Sequence, residues 1–132
     1  MPKIEIKHPD KQISTGAYSA GVLIDGWLYI SGHASEDLRT GEILGRTTAE
    51  QTRVTLTHIG KVLAAAGLTF ADVVKCTCHL ADIKDFDEFN AVYREFFPPP
   101  LPARTTVQSV IAREFRVEID AIARVPQSGP NS

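Results

Sequence analysis

Apolar and polar residues alternate with period two over residues 2–8, PKIEIKH, which predicts a short first strand. The run AYSAGVLIDGWLYISG, residues 17–32, is broken at its centre by Asp25-Gly26. That dipeptide supplies the positive φ angles of a tight two-residue turn, so the segment predicts a β-hairpin. Residues 33–48 are polar and turn-rich, with room for a short strand around Ile43 and Leu44. The period then changes. Leu56, Ile59, Leu63 and Ala66 recur at spacings of three and four, predicting a long amphipathic helix that opens near Thr48, with Thr48-x-x-Gln51 as a capping box, and stops at Gly67. Residues 73–81 predict a strand. Residues 82–97 predict a second helix with Phe86, Phe89, Val92, Tyr93 and Phe96 on its inner side, ended by Pro98, Pro99 and Pro100. Two more alternating runs, 103–111 and 115–125, predict the last strands.

The order β-β-β-α-β-α-β-β predicts an α+β fold: a mixed sheet of about six strands with both helices packed on one face. The other face is then left uncovered. Along 115–125 it carries Arg116, Glu118, Asp120, Ile122 and Arg124, whereas Val117, Ile119, Ala121 and Ala123 face the helices. Such a half-apolar face is either solvated or buried between subunits, and the second is favoured here. With 132 residues and no internal repeat, one domain is expected over 1–126, followed by a polar, disordered tail, 127–132.

Charge narrows the partners. A net charge of −2 with dispersed Lys and Arg argues against a nucleic-acid-binding surface. The N-terminus has no apolar signal-like run and no segment is long and apolar enough to span a bilayer, so a soluble, cytoplasmic protein without membrane attachment is expected. Cys76 and Cys78 read as buried thiols on the strand face of Val74 and Leu80, with Lys75, Thr77 and His79 opposite. Neither they nor His8, His33, His58 and His79 have metal-ligand spacing, so no metal is expected. No G-x-S-x-G elbow supports serine-hydrolase chemistry.

Two charges interrupt the last strands. Arg104 is either a strand-edge arginine tied to a carboxylate or an anion clamp, since a guanidinium matches a carboxylate bidentately; Thr105 and Thr106 beside it favour the clamp. Glu118 is either an ordinary exposed carboxylate or one that holds and activates water. If 103–111 and 115–125 formed a simple hairpin, the two residues would sit on the order of 15 Å out of register. Either the strands are not simple neighbours or the pair meets across a subunit boundary. His33 is a solvent-facing loop residue or a pocket residue, and Lys75 is a solvated or interface lysine rather than a Schiff-base residue.

In order and spacing, GAYSAGVLIDGWLYISG, the long stretch from EQTRVTLTHIG to NAVYREFF, PARTTV and RVEIDAIA together resemble the RidA/YjgF family of enamine/imine deaminases. The resemblance implies a chorismate-mutase-like subunit in a homotrimer with clefts between subunits. It implies hydrolysis of 2-enamino or 2-imino acids to 2-keto acids and ammonia, without metal or cofactor. Arg104 would bind the substrate carboxylate, Glu118 would position water and shuttle protons, and Tyr18 would close the cleft from a neighbouring subunit. Ser31, Asn90 and Thr106 would line it. The sequence departs from the family pattern at Ala17, where proline is usual, at His33, at Thr106 and in the turn IAREFR, which points away from the smallest substrate. The alternatives are a pathway-specific deaminase of a larger unsaturated amino acid and a trimeric ligand-binding protein without turnover. RNA cleavage, also attributed to the family, ranks last.

Overall fold

The computed structural model describes residues 2–127; most of the polar tail expected over 127–132 lies outside them. Six strands, β1 (Ile4–Ile6), β2 (Gly21–Ile24), β3 (Trp27–His33), β4 (Val73–Leu80), β5 (Ala103–Gln108) and β6 (Val117–Arg124), form one mixed sheet. Two helices, α1 (Thr48–Ala65) and α2 (Phe86–Tyr93), complete the α+β architecture. The sheet order is β1-β2-β3-β6-β4-β5.

Asp25 and Gly26, at φ 52° and 82°, close the β2–β3 hairpin between Ile24 and Trp27, as their sequence predicts. α1 begins where its periodicity says, but one residue pair earlier than expected does the capping. Thr47 is the N-cap, its hydroxyl accepts from the Glu50 amide, and the Glu50 carboxylate accepts from the Thr47 amide. Gln51 is instead buried and bridges elements, donating to Gly45 O at 3.1 Å and accepting from the Arg116 amide at 2.8 Å. At the other end Gly67, at φ 76°, lets its own amide reach Ala64 O and that of Leu68 reach Leu63 O, a Schellman closure.

Leu56, Ile59, Val62 and Leu63 of α1 pack with Phe89 of α2 on Leu28, Ile30, Cys76, Cys78, Val117 and Ile119 of the sheet. α2 is shorter than its apolar pattern suggests. A 3-10 turn (Ile83–Asp85) precedes it, and past Tyr93 the chain tightens so that Phe97, more than Phe96, fills the core. On β4 the face assignment changes at one point. Val73 is buried with Cys76, Cys78 and Leu80, whereas Val74 is 42% exposed, because the β4–β6 register slips between Val73 and Lys75.

The question left open for the last two strands is answered by the topology. β5 and β6 are not simple neighbours: β5 runs parallel to β4 at the sheet edge, and β6 lies between β3 and β4, antiparallel to both. The α2 crossover explains this, since β4–α2–β5 is a parallel unit. β6 then takes the central position, where its strictly alternating burial belongs. Trp27, Tyr29, Val74 and Val107 remain exposed on strands of this sheet.

Candidate functional site

Arg104 stands opposite Cys76 in the parallel β4–β5 pair, so it shares the helix-facing side of the sheet. Its Nη1 donates to Asn90 Oδ1 at 2.8 Å, and its guanidinium lies 4.6 Å from the Tyr93 ring centre and 5.5 and 5.6 Å from those of Phe86 and Phe89. All four partners are on α2. The helix stops at Tyr93, and the chain passes through Pro98, Pro99 and Pro100 before β5 returns beside β4, which sets the arginine against the aromatic face. Among the described residues no carboxylate pairs with Arg104, so the alternative of a structurally tied arginine loses its partner. Beside it the Thr106 hydroxyl is buried without a hydrogen-bond partner. An oriented cation next to an unsatisfied hydroxyl suits a small anion.

Glu118 lies elsewhere. It is opposite His79 on β6 and points away from the helices, between buried Val117 and Ile119. Its carboxylate rests over Gly32: a Cβ there would come within 2.8 Å of Glu118 Oε2. Among the described residues it makes no ion pair or hydrogen bond. A cleft of about 150 Å³ opens beside it, with Tyr18, Gly32, His33, Lys11 and Phe115 in its walls. Tyr18 is 47% exposed and donates its hydroxyl proton to Thr15 Oγ1 at 2.8 Å, with Lys11 Nζ 5.3 Å from its ring centre. Ser31 is tied down, donating to Ser19 O at 2.6 Å. Lys75 donates to Thr105 Oγ1 at 2.7 Å on the uncovered face.

The six sequence candidates therefore form two groups. Arg104, Asn90 and Thr106 are on the helix side at the β5 edge; Tyr18, Ser31 and Glu118 are near the cleft by β3 and β6. Measured along β4, Arg104 and Glu118 are three residues apart, with β4 between their strands. That is about 10 Å along the sheet and about 10 Å across it, on opposite faces. One chain does not bring them to one small molecule.

Three histidines were not seen in the sequence as a group. His8, His33 and His58 come from an N-terminal segment, the end of β3 and α1, with ring centres 4.9 to 6.3 Å apart. His58 Nε2 is 2.7 Å from Glu36 O, a carbonyl that only accepts, so the proton is on Nε2 and His58 Nδ1 accepts from His8 Nε2 at 3.0 Å. His8 Nδ1 accepts from the Asp10 amide. His33 Nδ1 donates to Ser31 O at 2.7 Å. This pattern requires neutral rings at His8 and His58. Burial, reinforced by the other rings, holds His8 down to about 4; burial, against the pull of Ser31 O, holds His33 down to about 4; and His58 is lowered for the same reason. His33 is thus a buried cleft residue and not a loop histidine. No sequence signal links positions 8, 33 and 58, which meet only through the fold.

Cys76 and Cys78 are free and buried, and desolvation pushes both thiols up, away from the reactive thiolate. Among the described residues no cluster of His, Cys, Asp or Glu is arranged to hold a metal, and no helix is long and apolar enough to cross a membrane.

A family model described as Endoribonuclease L-PSP matches residues 9–125. A 2-iminobutanoate/2-iminopropanoate deaminase of Bos taurus is 44% identical over 82% of this chain and 80% of its own length. Among solved structures, YyfA of Yersinia pestis, described as of unknown function in the conserved Rid protein family, superposes with a TM-score of 0.88 at 32% identity, covering 94% of this chain and 100% of the other. The Escherichia coli protein TdcF, solved with bound serine, gives 0.86 at 30% identity over 93% of this chain and 99% of its own.

Proposed function

The chain belongs to the RidA/YjgF family, and from that premise we propose that it hydrolyses reactive 2-enamino and 2-imino acids to 2-keto acids and ammonia. The observation that carries the reading is Arg104: a guanidinium oriented by Asn90 and three aromatic rings, unpaired with any carboxylate among the described residues, beside a buried Thr106 hydroxyl that has no hydrogen-bond partner. It would take the substrate carboxylate bidentately. Asn90 orients the arginine, and Thr106 lines the anion site.

Glu118 acts on the other end of the substrate. An enamine first tautomerises to its imine; water then adds to the C=N carbon, and the carbinolamine expels ammonia. Glu118 takes a proton from the water and returns it to nitrogen, both short transfers that need little more than positioning. Gly32 leaves room for that carboxylate.

The separation of Arg104 and Glu118 supports a site shared between copies. In the proposed homotrimer the sheets pack inward and the β5 edge of one subunit meets the β3–β6 cleft of the next, bringing Tyr18 over the substrate and Ser31 into the cleft wall. The exposed Trp27, Tyr29, Val74 and Val107 suit burial there. Neither step calls on a metal or cofactor. A cytoplasmic role in clearing reactive metabolites accords with this chemistry.

The test generates imino acids with an amino-acid oxidase and follows their capture by semicarbazide. Wild type should suppress semicarbazone formation, and Arg104→Ala and Glu118→Ala should each lose that protection. Tight ligand binding without turnover, insensitive to Glu118→Ala, would instead make the protein a sensor.

A further inference from the structure

If the substrate carboxylate sits on Arg104 and its reacting carbon at Glu118, the side chain takes the remainder of the cleft, past Tyr18 towards His33 and Lys11. That remainder mixes apolar wall, Leu38 and Phe115 among it, with two polar groups that carry no partner. Lys11 is half-buried, and its Nζ has neither an ion pair nor a hydrogen bond among the described residues; the neighbouring cations are engaged, Lys61 with Asp10 and Arg113 with Glu36 at 2.5 Å. His33 presents the complementary group. Its Nδ1 proton is committed to Ser31 O, so the neutral ring offers a bare lone pair at Nε2. That atom has no protein partner, yet it is not among the sealed, unsatisfied polar atoms of the interior, so it gives onto the cleft. The charge of Lys11 reaches His33 and helps to keep it unprotonated.

A donor and an acceptor in the wall of one cleft discriminate among side chains. An aliphatic group would leave both unmatched on desolvation. A carboxylate suits Lys11 but faces the lone pair of His33, and accommodating it would require a proton on a buried ring whose other neighbours, His8 and His58, are held neutral. A carboxamide satisfies both, its oxygen accepting from Lys11 Nζ and its NH₂ donating to His33 Nε2. We propose that Lys11 and His33 make the cleft selective for 2-imino acids bearing a side-chain carboxamide. This rests on the deaminase reading above.

The experiment compares imino acids made in situ from glutamine, methionine and glutamate, similar in length and different in their ends, with the leucine-derived imine as control. Wild type, Lys11→Met and His33→Leu are run in parallel after circular dichroism has shown each to be folded. Lys11 is at the surface, so Lys11→Met decides should His33→Leu fail to fold. The expected result is a glutamine-over-methionine rate ratio of about tenfold or more in wild type, collapsing towards one in either variant. Equal rates in wild type, or a ratio that survives both substitutions, overturn the inference and leave the deaminase reading intact. A preference for the glutamate-derived imine overturns it too, making Lys11 a plain counter-charge. Failure on every imine, leucine included, removes both.

Discussion

The clamp proposed at Arg104 depends on α2, which holds the side chain from behind. Lysine in its place would keep the charge but lose the bidentate fork and the stacking on Tyr93. Arg104→Lys should therefore lower kcat/KM by about tenfold or more with the fold unchanged, read by the semicarbazide assay and a thermal melt. Gly32→Ala tests the other half-site. The new methyl would displace the Glu118 carboxylate, so turnover should fall by about 100-fold with little change in melting temperature. The histidine trio gives a pH signature. These rings titrate near 6.5 when unfolded, whereas folded His8 and His33 stay neutral down to about 4. Between those values the unfolded chain binds more protons, so stability falls as pH falls from about 6.5 to 4. Melting temperature against pH should show that drop, and His33→Leu should flatten part of it.

At the scale of elements, the same local signals that start and stop α1 make its ends testable. Thr47→Ala removes the N-cap and should cost about 1 kcal/mol in a urea titration, whereas Thr48→Ala probes a different bond, from Thr48 Oγ1 to Asp85. The box expected at Thr48-x-x-Gln51 forms one residue earlier, as Thr47-x-x-Glu50. Tertiary packing chose between them. Gln51 is needed in the interior to meet Gly45 and Arg116, which leaves Glu50 for the cap. The hairpin at Asp25-Gly26 and the stop at Gly67 were legible because each depends on a backbone conformation that few residues tolerate. The order of β5 and β6 was not: alternation identifies a strand and its two faces, not its neighbour.

For the whole molecule, the decisive prediction concerns complementation. Arg104→Ala and Glu118→Ala should each be inactive, but subunits of the two variants unfolded together and reassembled should recover roughly a quarter of wild-type activity, because random mixing pairs an intact Arg104 with an intact Glu118 in about one site in four. No recovery, with mixed oligomers demonstrated, would place both residues in the site of one chain. RNA incubated with the protein at low salt should stay intact, as expected for a chain of net charge −2 with dispersed cations.

By itself the sequence determined the elements, the two faces of β6, the helix-covered side of the sheet and the identity of Arg104, Glu118 and Tyr18 as candidates. These depend on local periodicity, turn chemistry and short motifs, all written within a few residues. The tertiary structure alone decided that β6 is central and β5 lies at the edge, that Arg104 is backed by α2 and stands on the face opposite Glu118, and that His8, His33 and His58 share one hydrogen-bonded cluster beside the cleft. Those are contacts between segments far apart in sequence, β3 with β6 and His8 with His58. Their physical cause is the burial of apolar faces in three dimensions, which no local pattern records.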